Sequence, residues 1–373
     1  MFSTAIKFIL FDRAKSIGAL MGIVISLFLI GQQSGIFLYL TGAMKSLIVN
    51  TKTDLWVVDN RTVNVNALAP IDVRKMREIS TIPGVKQVHP IVITGGSARF
   101  PDGTSANVQI IGSQSPTFKA VPNKFIVGNK QSLIPDGAMC FDFYDTKALG
   151  NAVPGTVFEI SGKRVQLAAQ TKGVRGFGAV YMFTTLERAQ VLGNLSNTKI
   201  SAILVDLLPG ADPLTVKNAI NKKIFGVQAW LPKDFEAATV KKVLSSSGIA
   251  ISFGTLIVFA IISGFFIIGL TLYSSAIDRI KDYGTLKAIG ASNGYVARLI
   301  LLQAVIFSIV GFGIGYSLIE LFRKGISNTG AIFEFDWTIR GVFLLVTLII
   351  SIGGSSFAIR RINGVEPASV FRG

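Results

Sequence analysis

Charge, histidine and cysteine are all scarce in this chain. Only 16% of its 373 residues are Asp, Glu, Lys or Arg, where a soluble protein carries about 25%. The single histidine, His89, leaves a His-based metal cluster or a Ser-His-Asp triad without material. The single cysteine, Cys140, can close no intrachain disulfide and is silent about the redox compartment. Cys140 is expected to be a packed small residue, and His89 a structural residue, packed or exposed. No G-x-x-x-x-G-K-[ST] phosphate loop occurs, since Gly155 and Gly162-Lys163 have the wrong spacing and fall in a hairpin. An enzyme acting on small molecules is therefore not expected, nor is a metal site, a cofactor site or a charge-lined pore.

What the chain has instead is four long uncharged runs, at residues 17–40, 243–277, 299–319 and 341–359. Roughly 20 mainly apolar residues cross the hydrocarbon of a bilayer as a helix. The second run has 35 residues; as one helix it would reach about 52 Å and project beyond the membrane as a stalk. The first run is too long for the core of a secretory signal and has no small-x-small site, so it reads as an uncleaved span. Before it, Phe2, Ile6, Ile9 and Leu10 share a helical face, the pattern either of a helix lying on the inner membrane surface or of a simple start to the first span. Lys7, Arg13, Lys15, Arg279, Lys281, Lys287, Arg298, Arg360, Arg361 and Arg372 flank the runs on one side. Arg323, Lys324 and Arg340 lie on the other. The excess of basic residues puts both termini and the segment after the second run in the cytoplasm. Polar side chains within the runs are few (Gln32, Gln33, Gln303, and Glu320 at an end). Glycines recur at Gly18/Gly22, Gly31/Gly35 and Gly311/Gly313/Gly315. Gly31, Gln32, Gln33, Gly35, Gln303, Gly311 and Gly315 are the candidate helix-packing residues.

Residues 45–242 have the composition of an ordinary α+β domain. A strand at 53–60, a helix at 71–80 stopped by Pro83-Gly84, and strands at 85–94 and 107–113 give a β-α-β-β order. A hairpin turns at Gly162-Lys163, Thr184 or Thr185 caps a helix that Gly193 stops, and a helix at 212–225 sits between strands at 200–207 and 227–231. Two subdomains split near 113–155 are expected. This region holds 24 Lys and Arg against 14 Asp and Glu, a scattered surplus that reads as a solvated basic surface.

The segment 274–304, SSAIDRIKDYGTLKAIGASNGYVARLILLQA, places charged and glycine residues between two apolar runs. Ile277, Ile280, Tyr283, Leu286 and Ile289 recur every three residues as an apolar stripe, Gly290 ends the helix, and Ser292 or Asn293 caps the next. The stretch resembles the signature of the MacB/FtsX-like permeases, the type VII ABC transporter permease family. The resemblance runs through Asp278-Arg279, Asp282-Tyr283-Gly284, Leu286-Lys287-Ala288 and Ile289-Gly290-Ala291-Ser292. The tail is similar to that family's closing motif through Glu366-Pro367-Ala368 and Arg372, and the layout of one span, a large domain and three spans is similar too. Departures are Asp in place of two Glu, Tyr283 where an aliphatic residue or Phe is usual, and Ser369 for Glu. Within the family the likeness is greatest to DevC-type exporter permeases.

The resemblance implies a membrane α-helical protein with four transmembrane helices and a large extracytoplasmic α+β domain inserted between helices 1 and 2. The expected divisions are an N-terminal amphipathic segment (1–16), helix 1 (17–44), the MacB-like periplasmic domain (45–242) and a long stalk helix 2 (243–277). After these come a cytoplasmic coupling helix (278–293), helix 3 (294–322), a short external loop (323–338), helix 4 (339–360) and a cytoplasmic tail (361–373). It further implies a homodimer in a bacterial inner membrane, paired with two copies of a separate ATPase subunit that binds the ATP. Asp278, Arg279, Lys281, Asp282, Tyr283, Gly284, Leu286, Lys287, Gly290 and Ala291 would form the coupling helix. Membrane lipids, a periplasmic adaptor of the membrane-fusion type and an outer-membrane channel are the other implied partners, and export of a lipid, glycolipid or hydrophobic small molecule the implied task. Two alternatives share the architecture: FtsX-like signalling to a cell-wall hydrolase, and lipoprotein release. A reporter fused after residue 150 is expected to read external, and one fused after residue 285 internal. The opposite pattern in a topology assay overturns the orientation.

Overall fold

The computed structural model describes residues 1–364, so the closing motif of Glu366-Pro367-Ala368 and Arg372 lies outside the described residues. The chain divides into two compact units, Met1–Leu38 with the chain from Ile249, and Tyr39–Gly248. An amphipathic helix α1 (Phe2–Phe11) precedes α2 (Arg13–Met44). Asp12 separates them with non-helical backbone and accepts from the amide of Lys15 at 3.2 Å, which starts the second helix.

The second unit follows as α3 (Ser46–Asn50), β1 (Leu55–Asp59), β2 (Ile71–Asp72), α4 (Lys75–Ser80), β3 (Val85–Arg99), β4 (Ser105–Ser113), β5 (Phe125–Val127) and β6 (Ala138–Asp142). It continues with β7 (Val157–Ile160), β8 (Lys163–Thr171), β9 (Val180–Thr185), α5 (Leu186–Leu192), β10 (Lys199–Ile200), β11 (Ala202–Leu207), α6 (Pro213–Lys223), β12 (Val227–Trp230) and α7 (Pro232–Ser247). The β-α-β-β start and the β-α-β end match the periodicity. Thr185 caps α5 through the amide of Arg188, and Asp212 caps α6 through the amides of Leu214 and Thr215 with Pro213 in the first turn. Ser161 and Gly162 both take positive φ (51° and 72°), the two-residue turn that matches the twist of a hairpin.

The two expected subdomains are instead one sheet. Ten strands associate in the order β12-β1-β11-β3-β4-β9-β6-β8-β5, with β7 paired to β3 and β8. The reason is the length of β3: its first half pairs with β11, and its second half with β4 and, near its end, β7. One strand thus carries the ladder across the expected division. Both faces of the sheet are buried, and alternation along β1 shows it, Leu55 and Val57 entering one core while Trp56 and Val58 enter the other. His89 is buried with Nε2 3.4 Å from Asp206, and burial depresses its basicity. Cys140 is buried in the second core, which pushes its thiol up to about 12.

The remaining helices are α8 (Ile249–Asp278), α9 (Ile280–Ala288), α10 (Asn293–Ser327) and α11 (Trp337–Asn363). With α2, helices α8, α10 and α11 are long and apolar enough to cross a membrane. The single stalk helix expected over 243–277 is divided. Gly248 stands at φ 67°, a left-handed residue that ends α7 and separates it from α8. The 35-residue helix is α10, which runs past the expected end at 322. A count of uncharged residues misses this because Glu320 is satisfied within the helix, by Arg323 at 2.8 Å and by the Tyr316 hydroxyl at 2.7 Å.

The last turns of α2 belong to the second unit. The Tyr39 hydroxyl accepts from Arg175 Nη1 at 3.0 Å, while Arg175 Nε donates to Asp145 at 2.8 Å. Asp145 Oδ2 has no hydrogen-bond partner among the described residues, and burial pushes this carboxyl up to about 6 against the pull of Arg175. Between the ordinary carboxylate range and about pH 6 the folded chain therefore holds a proton that the unfolded chain releases, so this group's contribution to stability falls as pH rises through that window. Asp145→Asn is expected to flatten the dependence of the thermal midpoint on pH between 4 and 6, followed by tryptophan fluorescence. An unchanged slope would show that Asp145 does not titrate there.

Candidate coupling site at the helix α8–α10 turn

The segment between α8 and α10 contains a helix with non-helical backbone at both ends. Arg279 (φ −106°, ψ 23°) breaks α8 from α9, and Gly290 (φ 107°) separates α9 from α10, whose N-cap Ser292 accepts from the amide of Tyr295 at 3.2 Å. Ala291 half-buries and returns its amide to the Leu286 carbonyl at 2.9 Å, closing the end of α9.

Helix α9 has two unlike faces. Tyr283 (2% exposed) and Gly284 are buried, Ile280 and Leu286 half-buried, and Lys281, Asp282, Thr285 and Ala288 exposed. Ile289, at its end, is 80% exposed. The predicted five-residue stripe does not form: Ile277 and Ile289 both lie exposed. Steps of three residues drift by about 60° each on a helix of 3.6 residues per turn, and the break at Arg279 interrupts the pattern besides.

Contacts to α1 hold the inward side. The Arg279 guanidinium lies 4.7 Å from the ring centre of Phe8 and 4.5 Å from that of Phe11. Phe8 also packs against Tyr283, ring centres 5.4 Å apart. Lys15, in the first turn of α2, forms an ion pair with Asp278 and donates to the Ser274 carbonyl at 3.4 Å. The Gln303 side-chain amide lies at the Tyr283 hydroxyl; burial raises that phenol's pKa and Gln303 lowers it by less. Gln303 Nε2 and Arg279 Nη2 are buried without a hydrogen-bond partner of good geometry among the described residues. Lys287 turns to the end of α11, donating to the Ile362 carbonyl at 2.7 Å and the Asn363 carbonyl at 3.4 Å, where a cation complements the helix terminus.

The structure thus separates the predicted site residues. Lys281 and Asp282 point to solvent, Asp278, Arg279 and Tyr283 engage α1 and α2, and Lys287 engages α11. Phe8, Phe11 and Lys15 were not singled out as partners of this segment, because nothing local in the sequence marks a contact across more than 260 residues.

The glycines position the helices around this site. A Cβ at Gly31 would stand 2.3 Å from Ile319, at Gly35 2.4 Å from Phe333, at Gly311 2.5 Å from Ile23 and at Gly315 2.9 Å from Leu27, so α2 approaches α10 and the following loop at distances no side chain allows. Gly18 makes only ordinary contact, Gly313 faces open space, and Gln32 and Gln33 are half-buried. Gly311→Ala is expected to destabilise the chain in detergent by about 1–3 kcal/mol. Gly313→Ala should be neutral or stabilising, since alanine is the better helix former. Equal thermal midpoints for the two variants would remove the close-packing argument.

Residues 254–367 match the FtsX-like permease C-terminal family, a region that takes in most of α8 and all of α9, α10 and α11. No curated protein matches the chain. Among solved structures, the extracellular domain of the noncanonic ABC-type transporter YknZ from Gram-positive bacteria is similar at 15% identity, with 48% of this chain and 98% of that one covered and a TM-score of 0.35. The periplasmic region of MacB from Actinobacillus actinomycetemcomitans is similar at 11% identity, with 54% and 96% covered and a TM-score of 0.38. A permease domain from Porphyromonas gingivalis is similar at 14% identity, with 48% and 88% covered and a TM-score of 0.34.

Proposed function

With residues 254–367 matching the FtsX-like permease C-terminal family, we infer that the chain is the membrane subunit of an ATP-driven system whose nucleotide is hydrolysed by a separate ATPase. The observation that carries this reading is the two-faced helix α9. One face is tied into the membrane unit through Tyr283, while the other offers Lys281, Asp282 and an isoleucine, Ile289, that is 80% exposed. An apolar side chain beside charged ones on an exposed helix end suits insertion into a partner's groove, with the charges setting register. The ATPase seats on this face from the cytoplasm, and its cycle displaces α9.

Two copies of the chain work with two ATPase subunits in a bacterial inner membrane, both termini cytoplasmic and the domain 45–242 periplasmic. The displacement reaches that domain through the spans. Its task is export of a lipid, glycolipid or hydrophobic small molecule handled on the outer side, together with a periplasmic adaptor and an outer-membrane channel, as in DevC-type exporters. The four apolar helices pack through glycine and apolar contacts, which agrees with a substrate path outside the spans.

Lys287 is held by the carbonyls of α11, so the docking face is best tested at Asp282 and Ile289. Asp282→Lys with Ile289→Asp is expected to abolish co-purification of an ATPase with the tagged full-length chain, while membrane insertion and thermal midpoint stay unchanged. Recovery of the same ATPase from the variant would end the docking assignment.

A further inference from the structure

Helix α9 is continuous in chain with α8 and α10 and not with α2, yet α2 is the helix that runs into the second unit. Non-helical residues at both ends of α9 interrupt the backbone ladder, so side-chain ties decide which helices follow it. The ties to the N-terminal helices are dense. Arg279 is 7% exposed with its guanidinium against the rings of Phe8 and Phe11; Phe8 touches Tyr283 as well; Lys15 pairs with Asp278 across the α8–α9 joint. The Lys15 amine also donates to Ser274 in the last turns of α8, and Ser16 Oγ donates to the Ile9 carbonyl at 2.6 Å, which fixes the bend between α1 and α2.

We propose that α1 is a clamp on the α8–α9 joint, with Phe8 and Phe11 as positioning residues for Arg279, so that α1 and the start of α2 move with α9 as one body. This inference rests on the coupling reading above. It gives the displacement of α9 a route into α2 through packed side chains, in parallel with the route through the chain into α8 and α10. The chemistry favours a clamp that stays closed. Parting Arg279 from the rings would forfeit both cation–ring contacts, of which the one to half-buried Phe8 is the more enclosed, Phe11 being 83% exposed. The small space beside the clamp, about 10 Å³ and lined by Phe8, Lys15, Ser16, Ser275 and Gln303 among others, has room for no more than a water molecule. Arginine is the residue suited to this position, because lysine lacks the planar group that stacks on a ring.

The test uses the full-length chain purified with whatever ATPase accompanies it. Cys140 is buried with a raised thiol and stays silent to thiol reagents in the folded chain. Phe8→Cys with Tyr283→Cys is expected to crosslink with a short, reducible bis-methanethiosulfonate reagent, since the two rings meet with centres 5.4 Å apart, and failure to crosslink overturns the clamp. In the crosslinked complex, the change in hydrogen exchange over residues 45–242 on adding ATP should equal that of the wild type, because a clamp that never opens is unharmed by a bond across it. Loss of that change on crosslinking, with recovery on reduction, would show that α1 and α9 part during the cycle and defeat the proposal. Phe8→Ala with Phe11→Ala should keep the ATPase bound and its basal turnover, yet reduce the ATP-dependent change by about fivefold or more, as loss of the cation–ring contacts implies. A full-sized change in that variant overturns the proposed route. If the wild type recruits no ATPase, the coupling reading fails by itself, and the crosslink still decides whether α1 holds α9.

Discussion

A permanently charged guanidinium sits where two helices meet, and it is held by aromatic rings from a third. Arg279 occupies the α8–α9 joint with Phe8 and Phe11 against it, and the Lys15–Asp278 pair lies beside it. Desolvating such a cation costs free energy that the ring faces offset in part while α1 stays against the joint. The joint therefore defines where α9 lies relative to α1, α2 and α8, and so defines which face of α9 remains open. The exposed Lys281, Asp282 and Ile289 are a consequence of that placement.

The spans obey a second constraint, the absence of a hydrophobic driving force between helices surrounded by lipid. They meet through glycine and small residues. Gly264 lies on Ser26, Gly269 on Phe357, and Gly354 against the backbone of α8 itself, a Cβ there standing 2.9 Å from the Phe265 carbonyl oxygen. Large apolar side chains such as Phe259, Leu270, Ile309, Leu345 and Ile349 stay exposed in the bare chain, where lipid would cover them. Gln303 is a larger polar side chain within the spans, buried beside Tyr283. Both had been conspicuous in the sequence for separate reasons, one as a departure from the resembled signature and one as a polar residue in an apolar run, and they turn out to be neighbours.

In the second unit a single sheet with cores on both faces replaces the expected pair of subdomains. The end of α2 is bound into it by the Tyr39–Arg175–Asp145 contacts and by Asn66 donating to the Met44 carbonyl at 2.7 Å. A helix whose first turn carries Lys15 and whose last turns carry Tyr39 and Met44 thus has ties in both units. The boundary between units falls within α2 and at Gly248, a few residues from where composition alone drew it.

Much of this was legible in the chain before folding. Apolar runs of spanning length, glycine spacing, the caps at Ser292 and Thr185, and the short helix within 278–293 are local patterns, and backbone geometry turns them directly into structure. Charge counting misjudged the length of α10 and the unity of the stalk, because Glu320 finds partners within its own helix and Gly248 needs only one left-handed residue to break one. The sequence by itself determined the number of spans, the inserted domain and the position of the short helix between them, since each depends on near neighbours in the chain. Only the tertiary structure decided that β3 joins the halves of the domain, that Lys287 caps α11, and that Phe8 and Phe11 grip Arg279. Those are meetings of residues far apart in the chain, and whether they form depends on how the packed helices and strands bring their surfaces together, which no local pattern encodes.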